Sequence, residues 1–328
     1  MGYVRRRIVF YLVALWAAVS LNFVIPRLMP GNAVDALFMR MHGKISHFAI
    51  RPLEVEFGIH VHEGMLQQYL QYLGNLVHGN LGVSITYFPT PVSTVLGAAL
   101  PWTLGLVGVA TVIAFVLGTW VGIILGWRRT SLWDSVVPPL AMFTSAFPYF
   151  FLALVVLYIF GFLLGWFPLA GAFSTGSPPQ FTVPSILNIL YHAFLPALAM
   201  VVTSMGGWIL SMRNNMIAVL NEDYVQMAEA EGLPEREVLH HYVVRNAILP
   251  SLTGFAMALG FVVGGAILTE IVFSYPGVGY VMLQAVGNQD YPLLQAILLV
   301  ISIAVLLVNF AIDMLYGRLD PRAASQGM

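Results

Sequence analysis

His60 and His62 stand two residues apart, a spacing that turns both imidazoles to one side of a strand, where they could share a metal ion; His42, His47 and His78 lie nearby. No third ligand follows at a defined spacing, and a loop pair at an interface is the plainer reading, so no metal is assigned. Glu270 and Asp313 are carboxylates at the ends of apolar runs, where a charge is costly unless it is paired, hydrated or facing a cavity. Glu270, with Thr269, Pro276 and Gly277, either forms part of a translocation path or outer gate, or is a helix-end residue that hydrogen-bonds the turn at 275–279. Nearness to the membrane interface favours the second reading. Asp313, with Arg318 a turn and a half later, reads as an interfacial ion pair or a contact to a neighbouring subunit. The sequence contains no Walker A pattern, acid pair or Ser/His/Asp set, so no catalytic residue and no bound cofactor are expected on this chain.

The remaining chemistry is mechanical. Residues 221–250 form a polar, helix-compatible island between long apolar runs. Asn221 and Asp223 can cap a first helix, whose positive end suits Glu222 and Asp223. Gly232 ends that helix in the left-handed conformation. Pro234 fits the first position of a second helix, with Glu235 and Glu237 in its first turn and Val238, Leu239, Tyr242 and Val243 at helical spacing. Pro250 marks entry into the next apolar run. Helix, glycine turn, helix and proline make an elbow into which a soluble motor could deliver force.

Composition calls for a membrane. Apolar residues make up 59% of the chain and charged residues 9%, too few charges for a water-solvated surface. The net charge of −1 carries no nucleic-acid footprint, and the absence of cysteine excludes disulfides, thiolate metal sites and a cysteine nucleophile. Six spans are expected, near 8–26, 102–127, 136–161, 194–212, 248–268 and 293–314. The first, behind Arg5, Arg6 and Arg7, reads as an uncleaved signal anchor. Arg5, Arg6, Arg7, Arg128, Arg129, Arg213, Arg236, Arg245, Arg318 and Arg322 fall on one side of these spans; Arg27, Arg40, Lys44 and Arg51 fall on the other. The positive-inside rule therefore places both termini and the elbow in the cytoplasm. Residues 31–97 form an extracytoplasmic segment, helical near 67–76 and turn-rich or extended at 79–90, expected to pack on the outer face of the spans. The membrane domain is expected over 98–316, with a coupling loop at 213–249 and a tail at 317–328. Gly118, Gly122 and Gly126 recur at four-residue intervals, as do Gly260 and Gly264; both runs suit close helix crossing, within the subunit or against a second chain.

The 221–250 elbow resembles the coupling loop of permease subunits of binding-protein-dependent ABC importers. Gly232 matches the signature glycine and Leu249-Pro250 the closing Leu-Pro. Gln226 and Met227 replace the leading Glu-Ala, and the glycine-to-proline spacing is longer. Both departures are shared by the oligopeptide/dipeptide/nickel branch, whose pattern Asp223, Tyr224, Ala228, Ala230, Gly232, Leu233 and then Arg245, Asn246, Pro250 match closely. Further blocks follow in the branch's order: Pro30-Gly31-Asn32, Gly79-Asn80-Leu81-Gly82, Leu100-Pro101-Trp102-Thr103, Pro276-Gly277-Val278-Gly279, Asp290-Tyr291-Pro292 and Leu319-Asp320-Pro321-Arg322.

The resemblance implies an all-α polytopic membrane subunit of the type I importer kind, in a prokaryotic inner membrane. Its expected partners are the lipid bilayer, a second homologous permease, two ATPase subunits that bind ATP and Mg, and an extracytoplasmic solute-binding protein. Peptides are the branch default; oligosaccharides of the cellobiose kind and nickel are alternatives. The rival readings are a secondary transporter, which calls for buried paired carboxylates, and a membrane-embedded enzyme, which calls for a polar cluster at depth.

Overall fold

The computed structural model describes residues 2–28, 64–174, 176, 179–264 and 267–319; His42, His47, His60 and His62 lie outside the described residues. Helices dominate because lipid offers backbone groups no partner, so each apolar run satisfies its own hydrogen bonds. In chain order they are α1 (Gly2–Arg27), α2 (Met65–Val77), α3 (Val92–Trp127), α4 (Leu132–Ala146), α5 (Tyr149–Leu163), α6 (Val183–Leu220), α7 (Asp223–Ala230), α8 (Glu235–Gly264), α9 (Ile267–Val272), α10 (Val278–Gly287) and α11 (Tyr291–Leu319). Among the described residues, five helices are long and apolar enough to cross a membrane, and the bent pair α4 and α5 is either a sixth, broken span or a re-entrant loop.

The expected helix at 136–161 is thus not one rod. It bends by 94° between Ala146 and Tyr149. Phe147 is extended, with ψ 133°, ahead of Pro148, because proline's ring disfavours the helical region for the residue before it. α3 and α6 run further than expected, at 36 and 38 residues. At 1.5 Å per residue each is about 55 Å long, so both project well past a hydrocarbon core of about 30 Å. The expected boundaries at 97/98 and 212/213 fall inside these two helices.

The chain divides into two compact units. One comprises 1–103, 263–267 and 276–328. In it α1 packs on α11. Arg7 Nη1 lies 2.9 Å from Asp313 Oδ2, and the Tyr11 hydroxyl donates to the same oxygen at 2.7 Å. Asp313 therefore forms an ion pair with a cation from the other end of the sequence. The 79–90 stretch is turn-rich, closed by an isolated bridge between Val83 and Pro91. Val92, Leu96 and Ala99 of α3 pack with Val278, Val281 and Ala285 of α10 and Leu293 and Ile297 of α11.

The other unit comprises 104–262 and 268–275. Here α3 and α6 run side by side in the same direction: Gly118 faces Met205 and Trp208, Gly122 faces Ile209 and Met212, and Gly126 faces Met216. The glycine repeat thus serves close packing within the subunit. α4 lies against α6. Ser131 caps α4 by accepting the Asp134 N–H, and Arg213 grips Asp134 with two bonds, Nε to Oδ1 at 2.6 Å and Nη2 to Oδ2 at 3.0 Å. A lysine cannot reproduce this planar fork. Arg213→Lys is expected to cost about 1–2 kcal/mol of stability, read as a lower thermal midpoint of the purified chain in detergent.

Candidate coupling site

The elbow begins where α6 ends. α6 runs through Leu220 and Asn221 is its C-cap, so Asn221 closes the preceding helix and does not open the next. Two helices abut here, and the same asparagine signal fits either terminus. Glu222 holds the N-cap of α7 without a side-chain bond, and Asp223 is the first helical residue, beside the positive end of the dipole. Gly232 takes φ +77°, as expected. The Gly232 N–H donates to Glu229 O at 3.0 Å and the Leu233 N–H reaches back to Ala228 O at 3.3 Å, closing the helix with a left-handed residue.

Pro234 is the N-cap of the following helix, one residue ahead of its expected place. That helix does not stop before Pro250. It passes through π-helical turns at Val238–Val244 into Arg245–Phe261, with Pro250 in its interior. Membrane helices tolerate such a proline because neighbouring groups and local changes of pitch re-satisfy the freed carbonyl. The second arm of the elbow and the fifth span are therefore one piece.

Beneath the elbow lies a core shared by several elements. Val225 and Ala228 of α7 are buried with Met212 and Met216 of α6 and Val238, Val243 and Ala247 of α8; Trp127 and Leu233 pack against them. Trp127 Nε1 donates to Glu235 Oε1 at 3.0 Å, and Arg129 Nη2 to Ile217 O at 3.2 Å, tying the end of α3 to α8 and α6. The opposite face of α7 is open. Tyr224 and Met227 are 40% and 65% exposed, a ready apolar anchor, and Glu222, Asp223, Gln226, Glu229, Ala230 and Glu231 are exposed with them. Arg245, Asn246 and Pro250 are exposed further along, with Asn246 Nδ2 donating to Tyr242 O at 2.7 Å. An apolar pair bordered by four carboxylates suits a partner groove with an apolar floor and a basic rim.

The outer set divides between the two units. Thr269 and Glu270 lie on α9, a short separate helix, where the sequence led one to expect the end of the fifth span. Both are fully buried. Glu270 O accepts the Tyr275 N–H at 2.8 Å, and Phe273 O accepts the Gly171 N–H at 2.9 Å. Burial pushes the Tyr275 hydroxyl up to about 12, helped by the Glu270 carboxylate. Pro276 and Gly277 belong to the other unit, where Gly277 precedes α10 and Thr103 Oγ1 accepts the Val278 N–H at 2.8 Å.

Sequence reasoning missed Asp290, which it read only as one letter of a motif. Its side chain is fully buried at the start of α11. Oδ2 accepts the Ser84 hydroxyl at 2.5 Å and the Thr86 N–H at 2.8 Å, and Oδ1 accepts the Leu293 N–H at 3.1 Å. Burial pushes the nearby Tyr87 hydroxyl upward, with Tyr280 and Asp290 adding to the shift. An aspartate ahead of a helix signals the cap to Leu293; its other partners, Ser84 and Thr86, some two hundred residues away, carry no local signal. Asp290→Ala strands three donors and is expected to cost about 2–3 kcal/mol, seen as a lower unfolding temperature, with Asp290→Asn between it and wild type.

Residues 118–325 match the family model described as binding-protein-dependent transport system inner membrane component. The chain is 32% identical to the oligopeptide transport system permease protein of Bacillus subtilis (strain 168), over 98% of each chain. It is 32% identical to a di/tripeptide transport system permease protein of Pseudomonas aeruginosa (strain UCBPP-PA14), over 99% of each. It is 30% identical to a dipeptide transport system permease protein of Alkalihalophilus pseudofirmus (strain ATCC BAA-2126 / JCM 17055 / OF4), over 98% of this chain and 99% of that one.

Proposed function

The chain belongs to the family of binding-protein-dependent transport inner membrane components, and from that premise we propose a peptide importer whose elbow at 221–250 receives force from ATPase partners. It is an all-helical, multi-pass permease subunit of the inner membrane and a non-catalytic one. Peptides are its cargo; the names of its relatives support this, and nothing comparable supports oligosaccharides, nickel or an ion-driven cycle. Its partners are an extracytoplasmic binding protein, a second homologous permease and two ATPase subunits, which carry the ATP and Mg. Both termini and the elbow face the cytoplasm, the side holding most of the arginines. Thr269 and Glu270, buried on α9, serve as the helix end that holds the following turn through the Tyr275 N–H.

One observation carries the coupling role. Val225 and Ala228 root α7 in a core made by the ends of the spans, while Tyr224 and Met227 stay exposed beside it. A partner that grips the second pair therefore moves the first. The double variant Tyr224→Ala/Met227→Ala alters only exposed side chains and is expected to leave the chain folded. Loss of the anchor is expected to weaken co-purification of the ATPases about tenfold or more, at 1.4 kcal/mol per decade, and to reduce ATP-driven uptake of a labelled dipeptide into vesicles in step. Unchanged binding and uptake would sink the proposal.

A further inference from the structure

α2 is held against α1 at a depth that can be measured along α1. The span 5–27 has 23 residues and is about 34 Å long at 1.5 Å per residue, close to the thickness of the hydrocarbon core. Among the described residues, α2 meets α1 through Ser20, Phe23 and Arg27. Ser20 Oγ is 2.6 Å from the Tyr69 hydroxyl, the Phe23 ring packs edge-on to Tyr69 and tilted on Tyr72, and Arg27 Nε donates to Gln68 Oε1 at 3.2 Å. From Ser20 to Arg27 is about 10 Å. α2 thus sits within the outermost third of the bilayer at the Arg27 end of α1.

Its surface fits that level. The helix Met65–Val77 contains no charged residue. Leu66, Leu70 and Val77 recur at helical spacing and are 72%, 60% and 85% exposed, an apolar stripe that water would penalise. The other side of α2 borders a cavity of about 700 Å³ whose polar lining includes Arg27, Gln68, Tyr72, Asn75, His78 and Gln295. Leu81, Pro292 and Leu299 add apolar wall. The Arg27 guanidinium stands 3.6 Å over the Phe23 ring and spends two of its five N–H donors on Phe23 O and Gln68 Oε1. Tyr72 Oη and Gln295 Nε2 are buried without a hydrogen-bond partner among the described residues.

We propose that α2 is an interfacial helix embedded in the leaflet at the Arg27 end of α1, the outer one in the orientation proposed above, and that its cavity takes the headgroup phosphate of a phospholipid. The stripe meets acyl chains while Arg27 and the amides meet the phosphate. α2 is then a membrane contact.

The cysteine-free chain allows a direct test. Leu70→Cys, Val77→Cys and Asn75→Cys would each carry a nitroxide in the full chain, in vesicles of phosphatidylethanolamine and phosphatidylglycerol. Oxygen is expected to relax labels at positions 70 and 77 more than an aqueous nickel complex does, with the order reversed at position 75. Nickel dominance at all three would place α2 in water, leaving the stripe to a protein partner and overturning the proposal. Native mass spectrometry of the detergent-purified chain supplies the second arm. Arg27→Gln is expected to lose one tightly retained phospholipid; equal retention in wild type and variant would refute the headgroup site.

Discussion

Gly232→Pro is expected to abolish ATP-driven uptake while leaving a membrane-inserted chain. Three penalties coincide at this turn. Proline fixes φ near −65°, whereas the turn needs +77°. It removes the N–H that donates to Glu229 O at 3.0 Å. It also disfavours the helical conformation of Glu231 before it. Together these cost about 3 kcal/mol or more, enough to unseat α7 locally. Because α7 is rooted only through Val225 and Ala228, the loss falls on the elbow before the spans. Gly232→Ala is the companion. A Cβ there meets nothing within 4 Å, so only backbone strain of about 1–2 kcal/mol remains, and coupling is expected to survive. ATPase co-purification and dipeptide uptake, measured on both variants, separate a coupling defect from general instability. Equal activity of the proline variant and wild type would remove the elbow from the mechanism.

Gly122→Leu is expected to destroy the pairing of α3 with α6. A Cβ at position 122 would lie 2.7 Å from Ile209 O and from Met212 Cβ, and 3.2 Å from Arg213 N. Two of these three atoms are backbone and cannot swing aside. Close helix approach, the attraction on which membrane helices depend, is lost, and overpacking adds about 1–3 kcal/mol or more. The effect should show as collapse of the folded yield in detergent. Gly207→Leu, on α6 itself with open space around its Cβ, is expected to behave like wild type. Similar losses in both variants would mean that bulk, not position, is responsible.

The features legible in advance were those with a local cause. Apolar runs of sufficient length became helices, and a glycine after a short polar helix became its left-handed terminus. Where two local signals competed, the outcome depended on packing. Pro138 and Pro139 lie inside α4 without breaking it, whereas Pro148 ends one arm of a bent span. The π-helical turns at Leu157–Leu163 and Val238–Val244 are a local change of pitch with no residue signature. Asp290 with Ser84, and Asp313 with Arg7, were invisible because each bond joins distant parts of the chain. In the elbow, Gly232 could be read from the sequence, but the burial of Val225 opposite exposed Tyr224 needed the packing of α6 and α8.

The continuity of α8 has a mechanical consequence. Its 30 residues make a helix of about 45 Å that starts at the elbow. The π-helical turns lie in its first half, Pro250 at its midpoint and a 3-10 turn, Val262–Gly264, at its end. If the elbow receives force as proposed, a push at the Glu235 end meets the π-helical turns and Pro250 before it reaches Phe261, and the stroke arriving there is shortened by whatever bending they absorb.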